Sequence, residues 1–356
     1  YTLSSYYDDA LHDLSQFYKH RSNDKLAIEY YNKLLSHTND ENFIANAYLS
    51  KGMIYFKNNR VDDAINEFLH VVNNFQRTIF FKEALSGLQA AYLSLGNIDV
   101  YLEMIDTLPQ FSISQSEQDS LIYNTAFMKF SENEFQTASI AFDKYISQFD
   151  KGIFIEDALY YNAISLLNLS DTSRAIVMYE NLIESSDLLY MKEALCFLAR
   201  YYYSNQNYSQ SNFYYQKINN LDADNALKRE SIIRLMYLNE SIDSTNAYNY
   251  AKQVLLLAKK DNWLISKANL IIARYQFEQG NYSKSKITFS QVLKFSSYDE
   301  GAEAKYYLSY LTFLDDSLDL AESMIFQLID EYTNDYFIAK SFILLSDIYV
   351  LKNNYF

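Results

Sequence analysis

Four histidines, one cysteine and a short acidic run are the residues best suited to chemistry in this 356-residue chain. Metal capture or general-base work needs histidines repeated on one helix face, as in His-Glu-x-x-His. His12, His20, His37 and His70 show no such spacing, and each falls on or beside a predicted helix among polar neighbours. They read as solvated or packing side chains. Cys196 stands between Leu195 and Phe197 with no basic cluster nearby. A nucleophilic thiolate needs a lowered pKa, so this thiol reads as buried and inert. Asp222, Asp224 and Asn225 open like a calcium loop, but Leu227 takes the sixth position, where the sharp turn needs glycine. Scattered glycines build no phosphate cradle. The carboxylates are spread along helix surfaces, and no pair stands out. We assign no catalytic residue, metal ligand or cofactor, and expect no enzyme activity.

The elements that carry these residues follow from composition and period. Gly (6) and Pro (1) are scarce, which disfavours sheet-rich and loop-rich folds and favours long helices with short connections. A hydrophobic share of 49% can bury a continuous core, so bulk disorder is excluded. The formal net charge of −15 repels phosphate backbones and anionic lipid, which argues against nucleic acid and polybasic membrane contact. With one cysteine no disulfide forms within the chain, so the redox compartment stays open. No apolar run reaches the roughly 18 residues of a membrane span.

Self-similarity is the strongest signal. Ala64-Ile-Asn-Glu-Phe68, Ala138-Ser-Ile-Ala-Phe142, Ala175-Ile-Val-Met-Tyr179 and Ser285-Lys-Ile-Thr-Phe289 each place a small residue four positions before an aromatic. The register runs Ala27, Ala64, Tyr101, Ala138, Ala175, Ser211, Ala247, Ser285 and Ala321, a period near 37 in which only Tyr101 breaks the small-residue rule. Seven positions later come Leu34, Val71, Leu108, Tyr145, Leu182, Ile218, Val254, Val292 and Leu328. Spacings of four and seven put these residues on one face of a helix, here helix B. Twelve positions before the register lies a second column, on helix A: Ser15, Gly52, Gln89, Ala126, Ala163, Ala199, Leu235, Ala273 and Ser309, continuing to Ser346. Small residues at fixed sites on two helices let their backbones approach. Polar turns such as Lys57-Asn-Asn-Arg60, Leu95-Gly-Asn97, Gln206-Asn207 and Gln279-Gly-Asn281 separate the two. Gly and Asn tolerate the left-handed conformation that ends a helix.

The unit of helix A, turn and helix B resembles the tetratricopeptide repeat, about 34 residues long. Gly52, Tyr55, Ala64 and Phe68 match that family in order and spacing, and the pattern recurs from about residue 6 onward. The family's helix A tryptophan and closing proline are absent; Pro109 falls earlier and is expected to shorten its helix B. Links such as 73–79 and 149–154 lengthen the unit. The resemblance implies an all-α, right-handed superhelical solenoid of about nine and a half repeats, read as one domain over residues 1–356. The last repeat stops after its helix A (about 336–352) with Tyr355 and Phe356, and the chain opens at Tyr1 without Met, so a piece of a longer protein is expected.

In this family helix A lines the binding groove. Carried over by register, the groove residues are Phe56, Tyr123, Phe127, Phe130, Tyr160, Arg200, Tyr203, Arg274, Phe277, Tyr306, Tyr310 and Phe313. Aromatics there are good anchors, since they bury large area at little entropic cost; the same residues also suit packing between adjacent helices. The family's basic clamp for a terminal carboxylate is not visible: its sites carry Leu49, Met53, Tyr123, Phe127, Tyr160 and Ile164. The resemblance therefore implies a non-catalytic scaffold for a protein or peptide with apolar or aromatic segments. The long unit is similar to that of bacterial envelope-associated tetratricopeptide proteins, which implies a periplasmic or outer-membrane-associated setting over a cytoplasmic one. The alternative is a peptide-sensing module of a larger signalling or transcription-regulating protein.

Overall fold

The computed structural model describes residues 5–108, 111–185, 187–221, 225–295 and 299–352. Pro109, Asp222, Asp224, Tyr355 and Phe356, with the expectations attached to them, lie outside the described residues. Two compact units divide the chain at Leu182 and Ile183. In the first, helices A and B alternate as α1 (Ser5–His20), α2 (Asp24–His37), α3 (Glu41–Lys57), α4 (Val61–Asn74), α5 (Phe81–Ser94), α6 (Ile98–Asp106), α7 (Gln115–Ser131), α8 (Phe135–Gln148), α9 (Ile155–Asn168) and α10 (Thr172–Leu182). The second holds α11 (Leu188–Ser204), α12 (Tyr208–Asn220), α13 (Asn225–Ile242), α14 (Ser244–Leu257), α15 (Asn262–Glu278), α16 (Tyr282–Val292), α17 (Asp299–Leu314), α18 (Leu318–Glu331) and α19 (Asp335–Leu351). No strand occurs among the described residues. The fold is an all-α helical-repeat solenoid.

The register explains how each helix pair closes. Every helix B register residue from Ala27 to Ala321 is buried, as is each apolar residue seven positions on except the half-buried Leu108. On two crossings the columns touch through a hydrogen bond: Ser211 Oγ donates to the Ala199 carbonyl and Ser285 Oγ to that of Ala273, both at 2.9 Å. Each bond joins column residues twelve apart and satisfies a hydroxyl that burial would otherwise strand. The turns follow the same ruler. Seven positions after the helix A column, the backbone turns left-handed at Ser22, Asn59, Gly96, Asn133, Ser170, Gln206, Gly280 and Asp316. Six of these eight bear a side chain, at roughly 1–2 kcal/mol each, so the pair geometry dictates the turn and the residue type follows only in part. The α13 to α14 turn departs; there Asp243 caps α14 by accepting from the Thr245 and Asn246 N–H groups.

Three positions do not follow the register. Gln89 is half-exposed, and Leu88 and Ala91 supply the inward face of α5 instead. Tyr101 is buried where other repeats keep a small residue, and its helix, α6, has only nine residues. Ser346 is exposed on α19.

The lengthened link after α8 is held by a polar pin. The Asp119 carboxylate, buried on α7, accepts from Tyr145 Oη at 2.5 Å and from the Ile153 N–H at 2.8 Å. Tyr145 Oη in turn accepts from the Phe154 N–H at 3.0 Å. An otherwise irregular segment thus has its backbone donors paired, which sets where α9 begins.

Candidate functional site

The sequence-derived groove residues fall into two groups. In the first unit they belong to the core. Tyr123 is buried, stacked on Phe154 at 4.5 Å and edge-on to Tyr145 at 5.7 Å. Phe127 and Phe130 are half-buried against Tyr161 at 5.0 and 4.9 Å, and Phe56 packs on the same cluster. Tyr160, half-buried, meets Tyr161 edge-on at 5.4 Å. In the second unit, Phe277 packs on Tyr307 at 4.9 Å, and Tyr306, Tyr310 and Phe313 pack on the cluster that seats α19. These nine make packing contacts.

The remaining three, Arg200, Tyr203 and Arg274, lie on the A helices of the second unit, each in its own set of polar or cation–π contacts. Arg200 donates two hydrogen bonds to Glu230 on α13, at 2.9 and 2.6 Å. Arg234 lies over the Tyr203 ring at 4.4 Å, a cation–π contact. Arg274 on α15 donates to Glu240 on α13 at 2.6 Å and also pairs with the buried Glu303 on α17, so it ties three successive A helices. Burial opposes the charge on Arg274, but pairing with Glu303 and Glu240 outweighs it and raises the pKa. Lys267 joins the same Glu240 at 3.3 Å.

Glu230 carries a testable consequence. The hydrogen bond from Arg200 pulls its pKa below the ordinary 4.5, against the upward push of burial. A depressed carboxylate pKa stabilises the fold above the ordinary value, and that contribution is lost as pH falls through the folded value. In an NMR pH titration, Glu230 titrates below 4.5, and Arg200→Ala returns it toward or above that value. No change in the variant contradicts the pairing.

Next to these contacts lies a feature outside the repeat register. Trp263, the only tryptophan in the chain, sits in the first turn of α15 and is 57% exposed. Its ring stacks on Tyr237 of α13 at 6.1 Å between centroids. Asp261 caps the helix by accepting from the Leu264 N–H. The Tyr237 hydroxyl oxygen is buried without a hydrogen-bond partner among the described residues. Burial and then the charges of Glu240, Glu300 and Asp261 hold its pKa up, so it stays a protonated donor at neutral pH. Register reasoning passes over Trp263 because it lies ten positions before the helix A column; its uniqueness is the signal that points to it. A cleft of about 510 Å³ opens between the start of α13 and the end of α14, lined by Ile232, Leu256 and Leu257 together with Lys228, Arg229 and Lys259.

Among the described residues, no cluster of His, Cys, Asp and Glu is placed to hold a metal ion, and no helix is long and apolar enough to cross a membrane. His12 leans on Phe43 and His70 on Tyr48, both as ring contacts. Cys196 is half-buried on α11.

The tetratricopeptide-repeat family model matches residues 45–74, which span most of α3 and all of α4 with Gly52, Tyr55, Ala64 and Phe68. Over those residues the chain carries a tetratricopeptide repeat. Solved tetratricopeptide structures resemble it at low identity. A repeat protein from Parabacteroides merdae is 15% identical, covering 81% of this chain and 99% of its own, with a TM-score of 0.31. The C-terminal part of one from Cytophaga hutchinsonii is 17% identical over 70% and 97%, at 0.37. Yeast Tom70 is 14% identical over 98% and 96%, at 0.28. No curated protein matches the sequence. Tetratricopeptide arrays are interaction modules, typically non-catalytic, that present extended surfaces to protein partners.

Proposed function

We propose that this chain is a non-catalytic scaffold that holds a partner protein by an apolar or aromatic segment laid against α13 and α15 at Trp263 and Tyr237. One observation carries the reading. An indole 57% exposed stands on a tyrosine whose buried hydroxyl lacks a partner among the described residues. The pair offers a large rigid apolar surface of the kind found at interface hot spots. Among the neighbouring charges, Arg200 holds Glu230, and Arg274 holds Glu240 and Glu303.

Selection from a random peptide display library tests this. Enriched peptides are expected to carry apolar or aromatic segments and to bind Trp263→Ala at least about 30-fold more weakly, the equivalent of roughly 2 kcal/mol for a hot-spot aromatic. Ligands that bind the variant as tightly as the native chain rule out this face.

A further inference from the structure

The cleft between the start of α13 and the end of α14 differs in charge from the chain around it. Its volume, about 510 Å³, is in the range of ligand clefts. The chain has 45 acidic residues to 30 lysines and arginines. Yet of the eight described residues lining this cleft, three are basic and none is acidic. Arg229 reaches Asp261 only at 4.0 Å, a loose pair. Lys228 and Lys259 are exposed, and neither meets a carboxylate among the described residues.

Helix-end electrostatics account for part of this pattern only. Lys259 follows the C-terminal end of α14, where a base is favoured. Lys228 and Arg229 stand near the start of α13, where the helix dipole disfavours positive charge, and no acidic residue occupies the first turn. Between the bases lies apolar surface. Ile232 is buried, Leu257 is half-buried and Leu256 is 85% exposed. The link from α14 to α15 fixes this edge. Lys259 is held left-handed at φ 50°, a conformation that disfavours a side chain. The Asp261 N–H then donates to the Ala258 carbonyl at 2.8 Å.

We propose that the cleft receives an acidic peptide segment of a partner protein, with an aliphatic side chain against Leu256 and Leu257 and carboxylates at Lys228 and Lys259. Charge complementarity selects the acidic partner. The exposure of Leu256 selects an extended segment over a small molecule, which needs roughly 70–90% of its surface enclosed. The net charge of −15 repels nucleic acid and anionic lipid. An acidic segment deepens the scaffold reading and rests on it, yet Trp263 and Tyr237 take no part, since neither lines the cleft.

The test is fluorescence anisotropy with the 356-residue chain and a rhodamine-labelled peptide, Asp-Leu-Glu-Leu-Asp. Saturable binding is expected, weakening as salt rises. Asn-Leu-Gln-Leu-Asn keeps only the apolar part and Asp-Ser-Glu-Ser-Asp only the charges; each is expected to bind at least about tenfold more weakly. Lys228→Glu combined with Lys259→Glu is expected to weaken the first peptide by at least about tenfold, as is Leu256→Ser, whereas Trp263→Ala leaves it unchanged. All of these positions are exposed, and circular dichroism verifies folding. Should the lysine variant lose helix content, Leu256→Ser and the two companion peptides decide. Absence of saturable binding overturns the proposal. So does equal binding of the neutral companion, or a folded lysine variant that binds like the native chain. Loss of binding in Trp263→Ala with the lysine variant unaffected also overturns it, because the peptide then sits on the other face. Binding here together with failure of the peptide selection at Trp263 would sink that face and leave the cleft standing.

Discussion

Ala138→Phe and Ala163→Phe each lower the melting temperature of the first unit by roughly 5–10 °C. Both alanines are fully buried at their column positions, Ala138 on α8 and Ala163 on α9. Around them the packing is already closed: Ser139 Oγ donates to Asn162 Oδ1 at 2.8 Å beside the two columns, and Asn162 also donates to Asp143 at 2.8 Å. A phenyl ring at either site must push two helix backbones apart or adopt a strained rotamer, at about 1–3 kcal/mol and occasionally more. In a unit of this size each kcal/mol lowers the midpoint by roughly 2–4 °C. Ala90→Phe, on the exposed side of α5, is the control, and is expected within about 0.5 kcal/mol of the native chain. Thermal melts by circular dichroism decide; equal midpoints for all three variants would mean that the columns do not meet.

Phe68→Ala is expected to cost roughly 3–5 kcal/mol in urea unfolding, the range for a fully buried aromatic. The Phe68 ring on α4 fills the space left by two glycines on neighbouring A helices. A methyl group on Gly52 of α3 would lie 2.6 Å from Phe68 Cε1, and one on Gly87 of α5 would lie 2.7 Å from Cζ. Three helices thus share one ring, and the glycines are required by contact, since neither has an unusual backbone angle. A double-mutant cycle makes this sharper. Gly52→Ala alone forces the ring aside and destabilises by about 1–3 kcal/mol. With Phe68→Ala already in place the clash is gone, and the better helix propensity of alanine, worth up to about 1 kcal/mol over glycine, makes the same change neutral or stabilising. Simple additivity of the two substitutions would contradict the shared contact.

Much of this architecture is legible in the residues because it depends on short-range rules. Small residues at helix crossings, apolar residues seven further on and polar turns recur with one period, and each is a local consequence of two helices packing closely. The left-handed turns were visible where Gly or Asn occupies them, as at Gly96 and Asn59, and hidden where Ser22, Ser170 or Asp316 does. Those residues carry no preference strong enough to announce the conformation; the pair geometry imposes it.

The proposed binding face was less legible, and for a different reason. Register tells which way a side chain points but not what comes to cover it. Tyr123 points as a groove residue should, yet Phe154, more than thirty positions downstream, stacks on it and buries it. Arg200 and Arg274 were correctly marked as helix A residues, but their partners Glu230 and Glu303 stand about thirty positions away with no shared motif. Trp263 lies outside the columns altogether. Its position matters only because Tyr237, on the previous helix A, comes beneath it.

The exposed position of that single tryptophan also supplies the most direct measurement. Its emission reports on the proposed face alone. As a selected apolar peptide is added, Trp263 fluorescence should shift to shorter wavelength and saturate at one peptide per chain, and Tyr237→Ala should weaken the titration by removing the ring beneath the indole. A peptide that binds by calorimetry while leaving the emission of Trp263 unchanged would contradict the central claim that partners are held at this face.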